Sequence, residues 1–238
     1  HEVLVIDHQM APKPDVFEGI KIFDEFKPDL FCISLVSFEW VLPVTHKMIN
    51  LAYESKIPVW VGGPHSTAFH DIMAKDHRIT KIVNGEVDGQ IKKVFASNEK
   101  VVVLPRPTSF TTPNFNLIRD HEQISLYPLF TSRGCKYKCN FCAATVTHGN
   151  ILRSRTLQDV WDELDSLETR LPNIKTIWVI DDDFLTNYDH AIEFCLEYEK
   201  RGYPKKYDIK IINVRADRLY DSFLDWLKRM NINQISIG

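Results

Sequence analysis

Cys135, Cys139 and Cys142 stand close together in the segment 131–142, Thr-Ser-Arg-Gly-Cys-Lys-Tyr-Lys-Cys-Asn-Phe-Cys. The spacing is C-x3-C-x2-C, with Phe141 just before the last thiol. Thiolates are soft ligands suited to zinc or to iron–sulfur clusters. Three of them can hold three irons of a cubane cluster, whereas electron carriers ordinarily supply four ligands. The remaining iron would be open to a substrate or cofactor, as a catalytic cluster requires. Arg133, Lys136 and Lys138 would offset the negative charge of such a cluster and favour its reduction. A structural zinc site is the alternative, with His148 completing a Cys3His set.

The chain has five cysteines, an odd number that does not suit a secreted disulfide framework. Cys32, in the apolar run Leu30-Phe31-Cys32-Ile33, and Cys195, in a helical pattern, read as buried small hydrophobes. The composition, 44% apolar and 26% charged, is that of a globular protein, and 238 residues suffice for one large domain or two ordinary ones. A net charge of -3 argues against a dedicated nucleic-acid binder. No apolar run approaches the roughly 18 residues of a membrane span, and a cytoplasmic location is expected.

The elements that must position the thiols follow from apolar periodicity. Strands are predicted at Val3–Ile6, Leu30–Val36, Pro58–Val61, Ile79–Val83 and Val101–Val103. Helices are predicted at Val16–Phe26, Glu39–Ser55, Thr67–Asp76 and Asp88–Phe95. Continuous apolar strands alternating with helices imply a parallel sheet covered on both faces, so residues 1–104 read as a doubly wound, Rossmann-like α/β domain. Pro105, Pro107 and Pro113 mark 105–126 as a linker. The alternation resumes in 127–238, with strands at Leu129–Thr131, Thr176–Ile180, Ile209–Val214 and Ile235–Ile237. Helices are predicted at Leu157–Leu171, opened by a capping box of Thr156 and Asp159, and at His190–Arg201 and Ser222–Met230. This is the pattern of a partial (β/α) barrel. Gly62-Gly63-Pro64-His65, Gly85-Glu86, the cysteine loop and Asp181-Asp182-Asp183 all follow strands, where parallel sheets and barrels bind ligands.

C-x3-C-x-Phe-C after a first barrel strand resembles the signature of the radical S-adenosylmethionine superfamily. Tyr127-Pro128, Arg153-x-Arg155, Ile180 to Phe184 and Ile235-Ser236-Ile237-Gly238 extend the resemblance over 126–238. It implies a [4Fe-4S] cluster on Cys135, Cys139 and Cys142. It also implies S-adenosylmethionine contacts from Phe141, from Asp181, Asp182 or Asp183, and from Asn213, Arg215 and Ser236. Many members have Gly-Gly-Glu in place of the three acids, and capping of the next helix is an alternative role for them. For Arg215 the alternative is a salt bridge at the barrel rim.

Residues 1–104 resemble the cobalamin-binding domain that precedes the radical domain in one branch of that superfamily. Ser34-Leu35-Val36 stands where that domain has Ser-x-Leu, and Gly62-Gly63 where it has its glycine pair. His65, Gly85 and Glu86 lie on the same rim. A tight turn without ligand is the alternative for the glycine pair. The cobalt-binding Asp-x-His-x-x-Gly motif is absent, since Asp7-His8 are adjacent. The nucleotide tail of cobalamin would enter the sheet between Ser34–Val36 and Gly62-Gly63, at a reversal of strand order.

Together the resemblances imply reductive cleavage of S-adenosylmethionine to a 5′-deoxyadenosyl radical that abstracts hydrogen from a small-molecule substrate. An electron donor such as flavodoxin or ferredoxin would supply the electron. If cobalamin is bound, methyl transfer or a ring-forming oxidation follows. A non-catalytic corrinoid or iron–sulfur carrier is the alternative. The chain is expected to be an internal piece of a longer protein, because the family's barrel continues to six strands and its first domain has an earlier strand and helix.

Overall fold

The computed structural model describes residues 2–6, 16–35 and 42–238. Val36, Asp7 and His8 lie outside the described residues. The chain divides into two compact units, one of residues 16–35, 42–111 and 146–148, the other of 2–6, 112–145 and 149–238.

In the first unit the order is α1 (Val16–Phe26), β1 (Phe31–Ser34), α2 (Leu42–Glu54), β2 (Val59–Gly62), α3 (Pro64–Met73), β3 (Lys81–Asn84), α4 (Ile91–Ala96) and β4 (Val101–Val103). The strands form one parallel sheet in the order β1-β2-β3-β4. Strand alternation divides the apolar residues between its faces. Val59, Val61 and Ile82 pack with Phe23, Ile49 and Ala52 of α1 and α2. Trp60 and Val83 pack on the opposite face with Val94 of α4. Helices therefore cover both faces, as the apolar strands require. The described strands follow sequence order, so the reversal expected beside Ser34 and Gly62 does not occur among them.

The second unit contains β5 (Leu126–Leu129), β6 (Ser132–Arg133), the first two residues of α5 (Ala144–Thr147), β7 (Arg153–Ser154), α6 (Leu157–Asp165), α7 (Leu167–Arg170), β8 (Thr176–Val179), α8 (Tyr188–Lys200), β9 (Asp208–Val214), α9 (Asp221–Arg229) and β10 (Ile232–Ile237). A parallel sheet runs β10-β9-β8-β5, and β6 pairs antiparallel with β7. Tyr127, Leu129, Ile177, Val179 and Ile209 form its core with Val160, Trp161, Leu164, Phe194 and Phe223 from the helices.

Several expectations shift. The first barrel strand is Leu126–Leu129, not Leu129–Thr131, and includes Pro128; β5 is an edge of the described sheet, where a missing N–H is tolerated. The Thr156 hydroxyl caps α6 by accepting from the Asp159 amide (3.2 Å), but the long helix breaks after Asp165, where the Ser166 hydroxyl donates to the Glu163 carbonyl (2.7 Å). Val3–Ile6 is not a strand of the first sheet, because Val5 makes a single bridge to Ile118. The segment read as a linker also supplies core, through buried Phe115 and Ile124.

A buried ion pair ties the exit of β5 to α6. Arg155 Nη2 lies 2.8 Å from Glu163 Oε2, with side chains 2% and 1% exposed. Glu163 Oε1 accepts from the Tyr127 hydroxyl (2.9 Å), and Arg155 Nη1 donates to the Phe130 carbonyl (3.2 Å). Removing one member strands a buried charge. Glu163→Ala is expected to cost the second unit about 3–5 kcal/mol in urea unfolding. Tyr127→Phe is expected to cost about 1 kcal/mol. A loss below about 1 kcal/mol for Glu163→Ala would contradict the buried pair.

Candidate functional site

The exit of β5 is held by an acid from the end of β8. Asp181 is 1% exposed, and its Oδ1 accepts from the Thr131 amide (2.6 Å). Its Oδ2 accepts from the hydroxyls of Thr131 and Ser132, both at 2.7 Å. Burial pushes the Asp181 carboxyl above the usual carboxylate range, and these donors oppose the shift. The Asp181 carbonyl accepts from Asn213 Nδ2 (3.1 Å), and the Asn213 carbonyl from the Phe184 amide (3.0 Å), so β8 and β9 are cross-tied here.

One residue further on, the chain enters the cysteine loop through the short β6–β7 pairing. Gly134 has φ +87°, and a Cβ there would lie 2.3 Å from the Ile151 carbonyl oxygen, which requires glycine before Cys135. The Gly134 amide donates to Asp182 Oδ2 (2.7 Å). Asp183 is buried and accepts from the Thr186 hydroxyl (2.6 Å) and the Leu185 amide (3.3 Å). The three consecutive acids thus do separate jobs. Asp181 spends both oxygens on the β5 exit, Asp182 holds the loop entrance and Asp183 closes its own turn.

Cys135 and Cys139 are half-buried and Cys142 is exposed. Thr186 Oγ1 lies 3.9 Å from Cys135 Sγ, and Arg215 Nη1 lies 3.9 Å from Cys139 Sγ. Arg215 also pairs with Asp217 (2.9 Å), the salt bridge anticipated for it. Of the expected cations, Arg133 lies over the Phe130 ring (4.0 Å), while Lys136 and Lys138 are exposed. Phe141 is 93% exposed, and Ser236 is exposed on β10. Among the described residues no three Cys, His, Asp or Glu side chains are gathered into a ready-made metal site. Thr131, Ser132, Thr186 and Tyr137 were not singled out from sequence. Their positions beside the strand end and between the cysteines were a usable signal. Arg218, 81 residues from its partner Tyr137, offered none.

The rim of the first unit is closed by backbone bonds. The Leu35 amide donates to the Gly62 carbonyl (2.8 Å) and the His65 amide to the Leu35 carbonyl (3.1 Å). Gly63 has φ +91°, and a Cβ there would sit 2.7 Å from Ser34 Oγ and 2.9 Å from the Leu35 carbonyl. Gly63 therefore packs directly against Ser34 and the backbone of Leu35. Thr67 links the rim, its hydroxyl donating to the Gly63 carbonyl (3.0 Å) and accepting from the Gly85 amide (3.2 Å). Gly85 is left-handed, φ +113°, against the Leu104 carbonyl. Ser34 is exposed, Glu86 is half-buried, and the His65 ring lies tilted against Phe69 at 4.8 Å between centroids.

Residues 129–238 match the radical SAM superfamily. An uncharacterized methyltransferase of Pyrococcus horikoshii is 25% identical over 230 residues, 85% of this chain and 50% of that protein. The chain thus spans about half the length of that relative. Cytidylyl-2-hydroxyethylphosphonate methyltransferase of Streptomyces wedmorensis is 38% identical over 76 residues, 32% of this chain and 14% of its own. Among solved structures, the radical S-adenosylmethionine methyltransferase TsrM of Kitasatospora setae, with cobalamin and a [4Fe-4S] cluster bound, matches with TM-score 0.69 and 16% identity. That match covers 94% of this chain and 50% of TsrM. The cobalamin-dependent radical enzyme OxsB, with aqua-cobalamin and S-adenosylmethionine bound, matches at 0.69 and 18%, covering 98% of this chain and 38% of its own. These likenesses establish the fold. The radical SAM match spans residues 129–238, and the α/β architecture with parallel sheets is shared with cobalamin-dependent radical SAM enzymes.

Cys195 is fully buried, which pushes its thiol up to about 12, whereas Cys32 proves exposed rather than buried. At pH 8 a thiol of that pKa is thiolate in about one molecule in ten thousand. Iodoacetamide is therefore expected to label Cys142 and leave Cys195 intact in the native chain, by peptide mass analysis. Equal labelling of the two would contradict this burial.

Proposed function

We propose that the chain is the cofactor-binding part of a radical S-adenosylmethionine enzyme of the cobalamin-dependent branch, with methyl transfer to a small molecule as its reaction. The observation that carries this reading is the three-thiol loop launched from the carboxyl end of β5 and held there by Asp181. The donor chemistry fits a cluster. Three thiols share the loop, a guanidinium approaches one sulfur, and Asp181 and Asp183 are committed to the protein, so neither competes for iron. When bound, the cluster supplies the electron that cleaves the sulfonium, and cobalamin supplies a methyl carrier.

The chain's own residues bind and orient. Cys135, Cys139 and Cys142 are the cluster ligands. Asp182 is the least buried of the three acids, and we assign it to the cofactor's ammonium group. Asn213, Arg215 and Ser236 lie at or beyond the ends of β9 and β10, on the side where the carboxylate and ribose would lie. The Phe141 backbone would contact the adenine, with the residue itself exposed. In the first unit, cobalamin would lie against the rim of Ser34, Gly62, His65, Gly85 and Glu86 rather than between strands. The similarity to methyltransferases along most of the chain favours methyl transfer over a non-catalytic carrier role.

The test is anaerobic reconstitution of the chain with iron and sulfide, then assay of S-adenosylmethionine consumption with and without cobalamin. Conversion to 5′-deoxyadenosine or S-adenosylhomocysteine is expected. Cys135→Ser, Cys139→Ser or Cys142→Ser should lower it by about a hundredfold or more, since each removes an iron ligand. Cys195→Ala should retain it. A fully loaded cluster that consumes no cofactor in any condition would favour the carrier.

The cobalamin seat has its own test. Gly62 can carry a side chain, since a Cβ there meets only Val83 Cβ at 3.9 Å, whereas Gly63 cannot. Gly62→Val is expected to lower cobalamin retention about tenfold or more in equilibrium dialysis, with the melting temperature unchanged. Unchanged retention would remove the rim as the seat.

A further inference from the structure

Tyr137 sits between Cys135 and Cys139, a position that motif reasoning leaves open to many side chains. Its ring is gripped from the end of β9. The Arg215 guanidinium carbon lies 3.9 Å from the ring centroid. Arg218 Nε donates to the Tyr137 hydroxyl at 2.9 Å, and Arg218 Nη2 donates to the same oxygen. Arg215 is itself held by a two-point pairing with Asp217, Nε to Oδ1 at 3.0 Å and Nη2 to Oδ2 at 2.9 Å. That leaves its flat face for the ring and its Nη1 beside Cys139 Sγ, at 3.9 Å.

We propose that Tyr137 is a positioning residue that locks the first half of the cysteine loop to the end of β9, through Arg215 and Arg218, and so fixes Cys139. The loop is then anchored at three places. Gly134 bonds to Asp182, Cys135 touches Thr186, and Tyr137 is held by the two arginines. Its far end contrasts with this, because Asn140, Phe141 and Cys142 are all exposed. Cys135 and Cys139 are held by the sheet, and Cys142 is the thiol left to adjust when metal binds. The arginines cannot be exchanged for lysines here, because the grip uses a planar face and a forked donor set.

Lys136 and Lys138 are exposed and flank Tyr137, so trypsin reports directly on whether the loop is held. In the full chain without iron, Tyr137→Leu is expected to speed cleavage after Lys136 or Lys138 about tenfold or more, as local opening becomes easy. Cleavage elsewhere should be unchanged. Tyr137→Phe keeps the stack but loses the Arg218 bond, and Arg218→Gln loses that bond from the other side. Both should give intermediate effects, Arg218→Gln the larger because its guanidinium also meets Tyr220, and the part they share should not add in the double variant. Arg215→Lys should behave like Tyr137→Leu. A second arm, which rests on the cluster proposed above, loads iron and sulfide anaerobically. There Tyr137→Leu should release iron to a chelator about tenfold faster and broaden the electron paramagnetic resonance of the reduced cluster. Wild-type cleavage rates in Tyr137→Leu, or additive effects of Tyr137→Phe and Arg218→Gln, would overturn the lock. Failure of the wild-type chain to take up iron would count against the cluster, and the trypsin arm would still decide the lock.

Discussion

The site depends on a buried carboxylate, Asp181, at the carboxyl end of β8. It satisfies the amide and hydroxyl of Thr131 and the hydroxyl of Ser132 where the chain leaves β5. A carboxyl group with 1% exposure is costly unless its oxygens are bonded. The arrangement therefore works in both directions. The acid needs the strand exit in one place, and the exit can be in no other place once the acid is there. From that point geometry propagates outward. The β6–β7 pairing sets the direction of the chain, and the left-handed turn at Gly134 delivers Cys135 toward Thr186.

Most of this positioning rests on contacts between strand ends far apart in sequence, which is how a parallel βα sheet builds a site. Each strand contributes a short loop at one edge, and neighbouring loops cross-tie. Asn213 reaches from β9 to the carbonyl of Asp181, and Arg215 and Arg218 reach the cysteine loop from the following turn. The first unit uses the same economy on a smaller scale. Its rim is closed by Leu35, Gly62 and His65 through backbone bonds, with Thr67 bridging Gly63 to Gly85.

Much of this architecture was legible in the sequence, and the departures have specific causes. The helix Val16–Phe26 appears at its expected bounds, because its apolar periodicity is strong. The Thr156 cap forms for the same local reason, a side-chain oxygen three residues from an unbonded amide. Pro128 hid the first barrel strand, since proline argues against a strand until its edge position is known. α3 starts at Pro64 rather than Thr67, and proline is well placed in a first helical turn. The cysteine motif and the acid run were visible from residue type and spacing. What could not be read was how the acids divide their work, because hydrogen bonds between Asp181 and Thr131 span 50 residues and leave no periodic trace. The close approach of Gly63 to Leu35, at φ +91°, likewise leaves no periodic trace.

The central claim is that the loop held by Asp181 carries a cluster on three cysteines with one iron left open. Mössbauer spectroscopy of the chain reconstituted anaerobically with isotopically labelled iron measures this most directly. About four irons per chain are expected, and addition of S-adenosylmethionine should shift the signal of one of them while the other three stay in place. A spectrum that does not respond to S-adenosylmethionine, or four equivalent thiolate-bound irons, would contradict the account.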